Sequence, residues 1–403
     1  MLTGQVFTGE KLLHKNGVNI MDHKKEISKY LDEVLNRKEF SIDRIKRGIK
    51  SSKYVCAFGL GIVSYPIIAA IRKLTDIKIN FLSDNDPAKW GKTFHNDLKC
   101  ISPDELEKYK DDVAILITTQ HYKKIHQQLL GKGFKKIFAV TEYRFFNESY
   151  LKDKDNIEKI KENILKSIDI MEDRRSKDII FTLIRNWFDF DVATVGYEDI
   201  FTNDQYYPSD IIQLSDREAF IDVGAYNGDT VFEFLKKTDN KFDSIFAFEL
   251  DKNNFKKMEA AINKLDMSVK KKIKLYNLGI MDKEQDIYYE SGVSGSESTF
   301  INVINSASEY GKTVKLSEIL KNEKITYIKM DIEGSEVKAL SGAEEIIKKQ
   351  KPKLAICVYH KPEHLWEIPL YLKKIVPQYK IFLRHHTMSD YETVCYAIYY
   401  GKH

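Results

Sequence analysis

Between Phe220 and Glu249 the chain reads FIDVGAYNGDTVFEFLKK and then SIFAFEL, an apolar strand, a glycine turn, a helix and a second strand ending in an acid. Few folds accept this order, because a strand entering a helix across a glycine turn is half of a parallel βαβ unit. Gly224 and Gly228 remove side chains where a ligand must approach the backbone. The helix that follows aims its free N–H groups at the same place. Glu249 lies 21 residues beyond Gly228, at a strand end where a carboxylate accepts both hydroxyls of a ribose. Dinucleotide sites use G-x-G-x-x-G to admit a pyrophosphate; this turn is G-x-x-x-G, with Asp222 and Asp229 beside it. Two carboxylates repel a pyrophosphate and suit the ammonium and sulfonium groups of S-adenosylmethionine (SAM). The expected cofactor set is Asp222, Gly224, Ala225, Gly228, Asp229 and Glu249, joined by Asn277 and Asp331 from later strand ends. A tight turn without a ligand is the bland alternative.

Further strands are expected at 271–280, 325–334, 353–360, 379–386 and 392–400, which with the first two make seven. Val337, Leu340, Ala343 and Ile347 recur at helical steps after one of them. The last two strands are joined only by HTMSDY, too short for a parallel crossover, so they pair antiparallel. A mostly parallel seven-stranded sheet with one antiparallel strand is a Rossmann-like class I methyltransferase fold.

Taken together, FIDVGAYNGDT, FAFEL, NLGIMD, YIKMDIEGSEVKALSGAEEIIKKQKPKLAICVYHKPEHLWEIP and LRHH…TVCYAI resemble the FkbM family of SAM-dependent methyltransferases, over about 206–400. Members mostly methylate hydroxyls of sugars and other natural products. The resemblance therefore implies O-methylation of a nucleotide- or lipid-linked saccharide, in surface glycan or polysaccharide assembly. The serine-rich stretch SGVSGSEST departs from the family pattern and leaves the acceptor open. A non-sugar or nitrogen acceptor stays in play, as does a vestigial methyltransferase half on a nucleotide-sugar-binding protein.

Open α/β sheets bind ligands at the C-terminal strand ends. A sugar hydroxyl needs a general base within hydrogen-bond reach. Two candidates end neighbouring strands, Asp331 after YIKM and His360 after KLAICVY. Asp331 and Glu333, at i and i+2, are expected to project from one face of a strand. Glu336 reads as a carboxylate at a helix N-terminus. The D-x-E-G-x-E cluster could hold a hard cation such as Mg²⁺, but it shows no further ligand in sequence, so no metal is favoured. Glu333, Arg384, His385, His386 and Tyr207 complete the acceptor side. Arg384 would grip an anionic group, one histidine of the pair would face the crevice, and Tyr206 and Tyr207 would cover SAM. Each of these has a structural alternative: a surface ion pair, a capped loop, a packed linker.

The first half repeats the motif more weakly. KYVCAFGLGIVSYPIIAAIRKL carries Gly59 and Gly61 after a strand, and the next strand ends at Asp84 and Asp86. Strands at 113–118 and 136–140 complete a small parallel sheet, with helices near 103–109 and 121–132. The third glycine of a dinucleotide turn is replaced by Ser64. Over about 53–146 this unit resembles nucleotide-sugar-binding Rossmann-like domains, in DNDPAKWG and CISPDEL. Gly59, Gly61 and Asp84 are then substrate residues holding the nucleotide part of a sugar. A packing or homo-oligomerisation domain, or an NAD(H) site, are the other readings. Trp90 is expected to anchor the core.

Residues 147–200 contain no glycine before Gly196 and read as helix, a linker followed by a helix that packs on the catalytic domain. Four regions result: 1–52 leader and helices, 53–146 the small α/β domain, 147–205 a helical linker, 206–403 the methyltransferase domain. Lysines are interleaved with acids, and 64 basic against 60 acidic residues leave only +4, so no nucleic-acid face is indicated. Cys56, Cys100, Cys357 and Cys395 share no metal or redox spacing, which fits a reducing cytoplasm. No apolar run reaches the roughly 18–20 residues of a membrane span. MLTGQVFTGEKLLHKNGVN lacks the apolar core of a signal peptide, and Met21 offers an alternative start.

Overall fold

The run Ala219–Val223 forms a strand buried along its whole length, Asp222 included. A strand covered on both faces belongs inside a layered sheet. The computed structural model of the chain shows that sheet and describes residues 22–61, 64–74, 76–95, 97–140, 147–189, 196–290, 300–301 and 309–401. Seven strands lie in the order Lys380–His385, Thr393–Ile398, Lys353–Cys357, Tyr327–Met330, Ala219–Val223, Ser244–Phe248, Ile273–Tyr276. All run parallel except Thr393–Ile398, which is antiparallel to both neighbours, as the short HTMSDY turn requires. Helices Asp229–Lys237 and Lys252–Ile262 bury Val231, Phe234, Met258 and Ile262 with Phe220 on one face. Helices Glu336–Gln350 and His364–Ile375 bury Leu340, Ile347, Leu365 and Leu372 with Ile221 and Val223 on the other. The chain changes direction across the sheet beside Ala219–Val223, the point past whose carboxyl strand ends open α/β sheets bind their ligands.

Two strand expectations change. The segment 271–280 is not one strand: Ile273–Tyr276 stays in the main sheet, and Gly279–Ile280 enters a second one. Between them the Asn277 amide donates to the carbonyls of Glu249 (2.9 Å) and Leu250 (3.0 Å), which turns the chain away. The second sheet has the order Gly279–Ile280, Glu309–Val314, Gln285–Glu290, Phe300–Ile301. The serine-rich stretch 291–299 lies outside the described residues. The strand at 325–334 stops at Met330, so Asp331 and Glu333 do not share a pleated face. Glu333 (φ 53°) and Gly334 (φ 91°) are left-handed, and the turn brings both acids to within 3.4 Å of His360.

In the first half, six strands lie in the order Thr93–Phe94, Leu98–Ile101, Phe81–Ser83, Tyr54–Phe58, Val113–Ile117, Ile137–Ala139. All are parallel except the edge strand Thr93–Phe94. The two strands between 93 and 101 go beyond the sequence expectation. Trp90 is no core anchor: it is 39% exposed, and its indole N–H donates to the Asp84 carbonyl at 2.7 Å.

Helix His23–Leu35 buries Ile27, Leu31 and Val34 completely, in one core with Ile157, Ile160 and Ile164 of helix Lys154–Ile170. Helix Arg174–Phe188 packs on the seven-stranded sheet, as expected: Leu383 N–H donates to Ser176 Oγ at 2.8 Å. The same apolar core continues from Ile115 and Ile117 of the first sheet to Ile356 and Leu383 of the second. Removing the first 150 residues would therefore strip a buried face from the helices between the sheets. Among the described residues no helix is long and apolar enough to cross a membrane.

Candidate active site

Gly224 has φ 78°, and a Cβ there would lie 2.0 Å from the carbonyl oxygen of Asp331. Only glycine lets the turn and the Asp331 strand end meet this closely. The N–H groups of Gly224 and Ala225 both donate to the Phe248 carbonyl at 3.0 Å, and Gly228 (φ 91°) opens helix Asp229–Lys237. Asp229 is exposed in the first turn and accepts from Thr230 N–H at 2.7 Å.

Glu249 reaches back over this turn. One carboxylate oxygen accepts from Tyr226 N–H (2.8 Å), the other from Asp251 N–H (2.7 Å), and the residue is 7% exposed. A carboxylate offers about four lone-pair sites, so two remain for a diol. Burial pushes its pKa up to about 7, against the Asp251 hydrogen bond. A group whose charge is poorly solvated gains from two further hydroxyl donors, and in this respect the turn fits the ribose of SAM.

Asp222 differs from the sequence expectation. Its fully buried carboxylate faces Lys329 Nζ at 2.9 Å, from the neighbouring strand in direct register. Burial raises Asp222 to about 6, and Lys329 opposes the rise. The ammonium also donates to the Gly224 carbonyl at 2.7 Å. One of the two carboxylates invoked against a pyrophosphate is thus neutralised, and Lys329, inside YIKM, passed unnoticed in the sequence.

On the acceptor side, Asp331 receives two phenols. Tyr206 donates to Oδ2 at 2.8 Å and Tyr359 to Oδ1 at 3.1 Å. His360 Nε2 stands 3.4 Å from Asp331 Oδ1 and 3.4 Å from Glu333 Oε2. Its Nδ1 lies 2.9 Å from Glu336 Oε1, and His364 Nδ1 lies 3.2 Å from Glu336 Oε2. Glu336 is fully buried and also accepts from Ile332 N–H at 2.9 Å, so it holds the turn as well as the histidines. Burial works against charge on both partners. Their attraction prevails: His360 is raised to about 10, and Glu336 is held below the usual carboxylate range. The carboxylates around His360 therefore favour its charged form at neutral pH. Glu392, from the hairpin turn, is a fourth acid nearby; burial, then Asp331, pushes it up to about 7. Tyr206 was expected to cover SAM, and its phenol instead meets Asp331; Tyr359, Lys329 and Glu392 were given no role in the sequence, because only the fold gathers them.

Asp331, Glu336 and His360 bring ligand-type atoms within 4.8 Å of one another, a grouping able to hold a cation. Yet the Asp331 oxygens already accept from phenols and Glu336 Oε1 from a backbone N–H.

Four expected acceptor residues are not at the crevice. Arg384 is buried, its guanidinium bound to Asp173 (2.6 Å) and Asp210 (2.6 Å), and it ties helix Arg174–Phe188 to the sheet. His385 is fully buried against Thr393 Oγ1 (2.8 Å) and stacked on Tyr197. His386 bridges the Thr202 carbonyl (2.8 Å) and Tyr396 hydroxyl (3.0 Å). Burial lowers these histidines to about 3 and about 4, so both are neutral. Tyr207 is buried, and its hydroxyl donates to the Thr230 carbonyl at 3.2 Å.

In the first half, Gly59 has φ 99° and packs under Thr119, whereas a Cβ at Gly61 would meet nothing within 4 Å. Asp84 accepts from Leu60 N–H (2.6 Å) and Lys89 Nζ (3.1 Å), which holds the turn and offsets its charge.

The Glu336–His360 pair has a pH signature. The depressed Glu336 contributes stability above the ordinary glutamate pKa of about 4.3 and loses it as pH falls. The raised His360 contributes fully below about 6.5, and its share fades as pH rises towards about 10. The excess thermal stability of wild type over Glu336→Gln should therefore be largest near pH 5–6.5 and narrow towards pH 10. A constant gap across that range would remove the ion pair as its cause.

The sheet order, the glycine turn and the strand-end acids define a SAM-dependent methyltransferase. Residues 222–382 match the family described as Methyltransferase FkbM domain, and residues 51–138 match C2185-like, N-terminal. The chain thus carries an FkbM methyltransferase domain. Its fold is similar to the crystal structure of Methyltransferase FkbM from Methylobacillus flagellatus KT, with TM-score 0.76 and 19% identity, covering 94% of this chain and 99% of that one. Precorrin-6y C5,15-methyltransferase from Geobacter metallireducens GS-15 is far more distant, with TM-score 0.29, 13% identity, and 46% of this chain and 82% of that one covered. A putative methyltransferase from Streptococcus mutans in complex with SAH gives TM-score 0.28 and 13% identity, with 46% and 91% covered. No curated protein matches.

Proposed function

We propose that the chain transfers a methyl group from SAM to a hydroxyl of a saccharide, with the carrier part of the acceptor held by residues 53–146. The observation that carries this reading is Asp331, a carboxylate fixed by two phenols at the strand end that touches the Gly224 turn. When bound, SAM supplies an electrophilic methyl group. Gly224, Gly228 and Glu249 would hold the nucleoside, and Asp331 would take the proton that the acceptor hydroxyl loses. His360, already charged, would balance the surrounding carboxylates and orient Asp331. Lys329 keeps Asp222 paired beneath the turn. The crevice would hold the acceptor oxygen in line with the methyl, and such positioning supplies much of the acceleration in a displacement. A nitrogen acceptor remains the second reading, because an amine also surrenders a proton to Asp331. A divalent metal is not needed for these steps.

Incubation with methyl-labelled SAM and a panel of nucleotide sugars tests the proposal. Label on a sugar hydroxyl is expected; label only on amines would contradict it. The carrier role has its own test. Gly61 is exposed with open space around it, so Gly61→Val should fold normally and crowd only a ligand. Its turnover should fall on the nucleotide-linked acceptor and much less on the bare sugar, which never used those contacts. Wild-type turnover on the intact acceptor would make the first domain structural. The full chain is the form to use, because a fragment lacking His23–Leu35 exposes the core it covers.

A further inference from the structure

We infer that Tyr206 is a positioning residue that fixes Asp331 for the reaction and ties it to the cofactor turn. Its backbone is left-handed (φ 67°), a conformation that a bulky non-glycine residue seldom adopts. Two other tyrosines hold it there. Tyr206 N–H donates to the Tyr396 hydroxyl at 3.1 Å, and the Tyr206 carbonyl accepts from the Tyr327 hydroxyl. The strained backbone delivers the phenol to Asp331 Oδ2 at 2.8 Å. The Gln205 amide donates to the same phenol oxygen at 3.1 Å and leaves its proton for Asp331. The ring lies 5.2 Å from Lys329 Nζ, the ammonium that holds Asp222 and the Gly224 carbonyl. One side chain therefore touches the group that sets the SAM turn and the group that faces the acceptor.

Tyr207 shows the contrast. The next residue along is as buried, but its phenol serves a helix carbonyl and its ring packs with Phe220 and Tyr327. Strain at Tyr206 and not at Tyr207 follows the chemistry, because only Tyr206 reaches a strand-end carboxylate. The groups facing Asp331 are Tyr206 from the segment before the first strand, Tyr359 and His360 from a second, and Glu333 from its own turn. Lys329 and Glu392 act on it at longer range. Tyr206 also lies against the lysine under the turn, while Glu249 is held by the Tyr226 and Asp251 N–H groups, so losing the phenol should free Asp331 without loosening Glu249.

The test uses full-length protein carrying ¹³C at the aspartate side-chain carboxyls, with Asp331 assigned as the signal lost in Asp331→Asn. In Tyr206→Phe that signal is expected to shift, while SAM affinity stays within about twofold. On the sugar that accepts label, turnover should fall about tenfold, the size of one hydrogen bond to a charged group. Added to Asp331→Asn, the tyrosine change should cost nothing more, because its effect runs through the carboxylate. An unmoved Asp331 signal, or an equal loss in the Asp331→Asn background, would overturn the inference. If Tyr206→Phe does not melt cooperatively, Tyr327→Phe keeps the Tyr206 phenol but removes the hydroxyl that holds its carbonyl, which displaces the phenol and should shift the same signal. The turnover arm rests on the proposed role of Asp331, but the spectrum needs no acceptor. Full turnover in Asp331→Asn would sink the base, and a static Asp331 signal in Tyr206→Phe would sink only the positioning.

Discussion

Asp331→Asn is expected to lower methyl transfer by about 10²–10⁴-fold, the range lost with a general base. The substitution keeps the shape of the side chain and a place for the two phenols, but it removes the only carboxylate that both phenols address. His360 cannot substitute, since Glu336 and the neighbouring acids keep it protonated until about pH 10. SAM affinity should change little, because Asp331 meets the turn through its backbone carbonyl, which the substitution leaves alone. Turnover with labelled SAM at pH 7–8, beside a SAM titration, separates the two effects. Near-normal turnover would move the base elsewhere, with Glu392 the next carboxylate to test.

Glu249→Ala is expected to weaken SAM binding by about ten- to a hundredfold, the equivalent of roughly 1.5–3 kcal/mol for a charge-assisted hydrogen bond. Part of that loss passes through the protein. Tyr226 and Asp251 N–H groups both lose an acceptor, and the left-handed Tyr226 (φ 49°) loses its tether. Glu249→Gln keeps one acceptor oxygen and should fall between alanine and wild type. A pH series adds a sign. Burial holds Glu249 at about 7, so the fraction able to accept two hydroxyls grows as pH rises through that value. Wild-type affinity should improve from pH 6 to pH 8 more than that of Glu249→Gln. Equal slopes would place the titrating group elsewhere.

The fold was legible because its signals are local. Apolar runs of strand length, a glycine turn and helical spacing at Leu340, Ala343 and Ile347 each act over a few residues, and all seven strands were found. The Glu249 position was readable for the same reason: strand, turn, helix and strand bring an acid back over the glycines within 30 residues. Where identity depends on a partner far along the chain, the sequence was silent. Arg384 looked like an anion grip until Asp173 and Asp210 closed on it from another element. Lys329 passed unnoticed within YIKM, although register places it against Asp222. Tyr206 and Tyr207 are indistinguishable in a linear reading, and only a left-handed backbone at the first separates their roles. The second sheet escaped because Asn277 ends a strand through hydrogen bonds to carbonyls 27 and 28 residues earlier.

The account stands on a SAM site formed by the Gly224 turn and Glu249, and calorimetric titration of the full chain with SAM, without acceptor, tests it most directly. Saturable heat at one site per chain is predicted, weakened about ten- to a hundredfold in Glu249→Ala and little changed in Asp331→Asn. No heat with wild-type protein, or equal affinity in Glu249→Ala, would contradict it.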